Sequence, residues 1–93
     1  MNEAGADFAG WVTLREIDAA QALPKGSAFR AFKRLLPELS EGPDFIVAGP
    51  PPYAALRAAL AAAGRIYRGS VHPVLLSPAA AARLRVACGG GRG

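Results

Sequence analysis

Apolar positions along this 93-residue chain change their spacing several times, and each change marks an element. Trp11 and Val12 precede Thr13-Leu14-Arg15-Glu16, a capping box in which the Thr13 hydroxyl accepts an amide and Glu16 reaches back to the cap. A helix is predicted over about 14–22, with Leu14, Ile17 and Ala20 or Gln21 inward and Arg15, Glu16 and Asp18 toward water. Leu23-Pro24-Lys25-Gly26 interrupts it. Ser27 is a suitable N-cap for a second helix over about 28–36. Phe29, Phe32 and Leu36 form its apolar underside, with Ala28 and Leu35 beside them, and Pro37 stops it.

Glu38 to Pro43 is turn-rich, and Phe45-Ile46-Val47 reads as a short strand. A stiff Gly49-Pro50-Pro51-Pro52 loop leads into a helix from Tyr53 to Ala63, with Tyr53, Leu56 and Leu60 on one stripe and Gly64 just past its end. Arg65–Tyr67 and Val71–Leu76 read as two strands joined at Arg68-Gly69-Ser70, with Pro73 placing the second at a sheet edge. Ser77-Pro78 opens a last helix to about Ala87, in which Leu84 and Val86 are the candidates for burial.

Composition narrows the class. The apolar fraction is 52%, but 21 of those residues are alanine, so 27 larger side chains fill one modest core that a partner or second copy would complete. The expected organisation is a flexible N-terminus at 1–10, one domain at 11–88 and a flexible glycine tail at 89–93. No apolar run approaches the ~18 residues of a membrane span. Residues 1–10 carry Glu3 and Asp7 and do not read as a signal peptide. A single cysteine, Cys88, builds no internal disulfide and fits a reducing, cytoplasmic setting. With one histidine, His72, it makes no ordinary zinc site. His72 reads as a structural or surface residue, and Tyr53 and Tyr67 as packing residues. No catalytic constellation is visible, so no enzyme, cofactor or metal is expected. The alanine helix offers a surface for self-association.

Charge points further. Residues 1–44 hold five basic and seven acidic side chains, whereas 45–93 hold six arginines and no acid. Within the first part Lys25, Arg30, Lys33 and Arg34 form a basic island. Clustered cations on a chain with net charge +4 attract polyanions. Two short helices joined by a glycine-containing break make a helix-turn-helix when the second bears the cations and enters the major groove. Ser27 and the first amides of that helix are then candidates for a phosphate, Arg30 for bidentate recognition of guanine, and Arg34 for a base or phosphate. Lys25 and Lys33 would hold the backbone.

The stretch from Trp11 through Thr13-Leu14-Arg15-Glu16 to Ala20, followed by Gly26-Ser27-Ala28-Phe29-Arg30-Ala31-Phe32-Lys33-Arg34-Leu35, resembles the winged helix-turn-helix of phage and mobile-element excisionases, relatives of the MerR-like DNA-binding domains. The resemblance covers about 25 residues well and the wing loosely. It implies a small α+β winged helix-turn-helix with three to four short helices and a β-hairpin or small antiparallel sheet. It also implies sequence-specific binding of double-stranded DNA without catalysis, as an excisionase that directs recombination beside an integrase or as a small transcription regulator, often in several copies. The wing would be Arg65–Tyr67 paired with Val71–Leu76, which adds Arg65 and Arg68 to the expected DNA-binding residues. The segment from Gly49 to Gly64 departs from the family pattern, which has a short connection there. The alternative from another class is a protein-interaction module, such as an antitoxin or a phage-encoded inhibitor of an acidic or nucleic-acid-processing partner.

Overall fold

The Thr13 capping box forms as its residue types require: the Glu16 amide donates to Thr13 Oγ1 and the Thr13 amide donates to Glu16 Oε1. It opens helix α1, Leu14–Ala20, directly after strand β1, Val12–Thr13. The computed structural model describes residues 8–70 and 72–89; residues 1–7 and 90–93, most of the two segments expected to be flexible, lie outside them.

Helix α1 ends two residues before its expected end. Ala22 adopts a left-handed conformation at φ 54°, its amide donates to the Ala19 carbonyl, and the Leu23 amide reaches back to the Asp18 carbonyl. This is a Schellman ending with alanine where glycine is usual. Helix α2, Ser27–Leu35, follows and continues as a single 3₁₀ turn, Leu36–Glu38. Strand β2 is Phe45–Val47, helix α3 Ala54–Ala62, strand β3 Val74–Leu76 and helix α4 Pro78–Gly89. Helix α3 stops as glycine predicts: Gly64 sits at φ 72°, and the Gly64 and Arg65 amides donate to the Ala61 and Leu60 carbonyls. Ser77 Oγ accepts the Ala80 amide and caps α4, with Pro78 at its first position.

The three strands form an antiparallel sheet in the order β1-β3-β2. Alternation along β2 and β3 divides the core between the two faces. Phe45, Val74 and Leu76 face one cluster with Ile17, Phe32 and Leu84, while Ile46 and Leu75 face another with Leu60 and the partly buried Trp11 and Ile66. The first cluster is the apolar layer under α1, α2 and α4, and the second is the layer under α3. Ile17, Leu75, Leu76 and Leu84 are fully buried, each stabilising the fold by about 1.5–3 kcal/mol. The architecture is therefore α+β, with four α-helices and a three-stranded antiparallel sheet among the described residues. None of the described helices is long and apolar enough to cross a membrane.

Several expectations are corrected. Arg65–Tyr67 is not a strand and does not pair with the segment before α4, so the hairpin expected as a wing does not form. Val71, within the expected second strand, lies outside the described residues. Pro73 does not put the following strand at an edge. It precedes β3, and its carbonyl accepts the Ala48 amide, so the missing N–H is tolerated while Val74–Leu76 becomes the central strand. Phe29 is not part of the underside of α2: the buried stripe is Ala28, Ala31 and Phe32, with Leu35 partly covered, and Phe29 is 47% exposed. Small side chains let α2 and α4 approach closely, which rotates the larger aromatic out of the contact. Leu36, expected on the same underside, and Val86 of α4 are likewise exposed.

Candidate nucleic-acid interface

Asp18 organises the approach to α2. Its position on α1 reads as solvated, yet the residue is 2% exposed. Oδ1 accepts the Ala28 amide at 2.8 Å and Oδ2 the Gly26 amide at 3.1 Å, so a carboxylate from the preceding helix caps α2. Ser27 is not the N-cap: it is the first helical residue, Gly26 precedes it at φ 93°, and no side chain of its own closes the helix start. The amides expected to receive a phosphate are thus partly occupied by Asp18, which removes much of the anion-binding capacity of that helix end.

The third ligand of Asp18 comes from 49 residues away: the Tyr67 hydroxyl donates to Oδ2. Burial, then the hydrogen bond to Asp18 and the Asp18 charge, push the Tyr67 hydroxyl up to about 12, against a smaller opposing effect of Arg15. The Tyr67 ring also holds two cations, with Lys25 Nζ 5.1 Å and the Arg15 guanidinium 5.7 Å from its centroid. Tyr67 begins a turn closed by the Ser70 amide on the Tyr67 carbonyl, with Gly69 at φ 82° in the third position and Arg68 exposed at the second. Arg57 of α3 clasps the far end of this turn through two donors to the Ser70 carbonyl. A rigidly anchored turn therefore stands where the wing was expected.

Between this turn and the start of α2 lies a groove of about 340 Å³. Its walls include Leu14, Phe29, Ile66 and Pro73, and its cations are Arg15, Lys25 and Arg68. Among the described residues Asp18 is the one carboxylate that lines it. His72, exposed, sits at its border. Next to the groove Arg30, Lys33 and Arg34 project from the exposed side of α2, with Lys33 Nζ 5.4 Å from the centre of the Phe29 ring. The structure thus brings Lys25 and Arg68 together at the groove and keeps Arg30, Lys33 and Arg34 exposed on the adjoining helix.

Arg65, expected beside Arg68, is engaged elsewhere. Its Nε donates to Glu16 Oε2 at 2.7 Å, and its Nη2 donates to Glu16 Oε1 and to the Trp11 carbonyl. Thr13 Oγ1 also donates to the Arg65 carbonyl. Burial raises the Glu16 carboxyl, but Arg65 and the Thr13 amide together outweigh it and hold Glu16 below its ordinary value. Arg65 is raised in turn by Glu16. Arg65 thus holds the segment after α3 to the first turn of α1 and is not a free cation. Arg15 and Tyr67 complete the groove although nothing local in the sequence pairs them. No protein-family model, curated protein or solved structure matches the chain.

Proposed function

We propose that the protein binds double-stranded DNA, with α2 as the element that enters the major groove and the turn at Tyr67–Ser70 as a flanking backbone contact. The observation that carries this reading is a continuous run of cations that form no ion pair among the described residues: Arg30, Lys33 and Arg34 are exposed on α2, and Lys25, Arg15 and Arg68 surround the neighbouring groove. The cap by Asp18 and the underside of Ala28, Ala31 and Phe32 hold that helix outward. Within this class the resemblance of residues 11–35 favours an excisionase, or a small transcription regulator, of a phage or mobile element, with an integrase as partner in the first case and several copies side by side on the duplex. Arg30 and Arg34 are assigned base or phosphate recognition, and Lys25, Lys33 and Arg68 phosphate contacts.

Titration of labelled duplex at two salt concentrations, with the wild type and with Arg30→Ala combined with Arg34→Ala, tests it. Affinity should fall steeply with salt and fall again in the double variant. Affinity insensitive to both would reject DNA binding and favour the protein-interaction role.

A further inference from the structure

Phe29 is the feature that phosphate contacts leave unexplained. Its side chain stands 47% exposed near the start of α2, against the cationic groove and off the helix's buried stripe. Lys33 lies over its ring, and Lys25 and Arg68 line the same groove. Whatever covers Phe29 must be strongly anionic around it and must offer an apolar group at the point of contact. The one carboxylate that the described residues place in the groove, Asp18, is buried and accepts three hydrogen bonds, so its oxygens are engaged by donors and do not face such a partner. Duplex DNA meets both requirements. Its phosphates supply the charge, and in the major groove the C5-methyl of thymine is the one strongly apolar group on an unmodified base edge.

We propose that Phe29 recognises the C5-methyl of a thymine next to the bases met by Arg30, which makes it a specificity-determining residue; this rests on the DNA-binding reading above. The contact adds base discrimination without adding a phosphate contact. Removal of one buried methyl should weaken binding by about fourfold, while the salt dependence, set by phosphate contacts, should stay the same.

The test begins by selecting a duplex from a random-sequence pool with the wild-type protein. Each thymine of that duplex is then replaced singly by uracil, which removes the methyl and keeps every hydrogen-bonding group. One replacement should weaken the wild type by about fourfold. Phe29→Ala should bind the parent duplex more weakly with an unchanged salt slope, and should no longer distinguish thymine from uracil at that position. Phe29→Leu, which keeps an apolar group, should retain part of the distinction. If Phe29→Ala does not fold, the uracil series on the wild type and on Phe29→Leu decides alone. A selected duplex that tolerates every uracil, or a Phe29→Ala variant with undiminished thymine preference, overturns the inference and leaves DNA binding intact. Failure to enrich or bind any duplex overturns both.

Discussion

The Tyr67 hydroxyl donates a 2.5 Å hydrogen bond to Asp18 Oδ2, so the turn at 67–70 is tied to the same carboxylate that caps α2. One buried acid thereby fixes the angle between the cationic helix and the cationic turn. Tyr67→Phe removes this bond and leaves the ring in place for Lys25 and Arg15. It should destabilise the protein by about 2 kcal/mol in urea denaturation, as expected for a hydrogen bond to a charged group, and should weaken DNA binding by loosening Arg68.

Alkaline pH should act through the same contact. The folded Tyr67 hydroxyl titrates near 12, against an ordinary value of 10.0. The unfolded chain loses this proton first, so the stabilisation is complete below pH 10 and disappears as pH rises toward 12. Denaturation midpoints across that window should fall, and tyrosinate absorbance should show one hydroxyl titrating late. Tyr67→Phe should abolish the late step and its share of the fall.

Loss of the acid itself should cost more. Asp18→Ala leaves the Gly26 and Ala28 amides and the Tyr67 hydroxyl without their acceptor. A loss of about 3 kcal/mol is expected, with α2 fraying first, and hydrogen exchange at Ala28 should report it. Asp18→Asn keeps one acceptor oxygen and should fall between the wild type and Asp18→Ala.

Arg65 and Arg68, three residues apart, should behave oppositely. Arg65→Ala breaks the partly exposed pair with Glu16 and should lower stability by at most about 1 kcal/mol while leaving the salt dependence of DNA binding unchanged. Arg68→Ala should leave stability unchanged and reduce the salt slope by about one unit. Because Glu16 is held below its ordinary value of 4.5, the contribution of the pair is present above that pH and is lost as pH falls through the folded value. Acid denaturation of Glu16→Gln should lack that component.

Ala22 holds a backbone conformation that favours glycine. Relief of about 1–2 kcal/mol of left-handed strain, less the extra entropy glycine loses on folding, leaves a gain. Ala22→Gly should raise stability by about 0.5–1 kcal/mol in the same denaturation assay.

Local chemistry was the legible part of the sequence. The Thr13–Glu16 capping box, the Ser77-Pro78 start, the Gly64 ending and the Phe45–Val47 strand each depend on a few neighbouring residues, and each forms. The exposure of Lys25, Arg30, Lys33 and Arg34 was legible from the acid-poor island around them. What escaped depends on distance. The burial of Asp18 is not visible in its neighbours because its hydrogen-bond donors come from residues 8, 10 and 49 positions away. The pairing of Arg65 is hidden in the same way, because Glu16 lies 49 residues before it. Size favours Phe29 over Ala31 as a core residue of α2, whereas close helix approach favours the reverse.

The alanines that α2 and α4 bury in their shared layer set a limit on change. Ala28, Ala31, Ala80 and Ala81 are each at most 2% exposed and bring two backbones near each other. A valine or leucine at any of them would wedge the helices apart and tilt α2 about its capped end. The outward pitch of Arg30 and Arg34 is therefore governed by four methyl groups on the hidden side of the molecule.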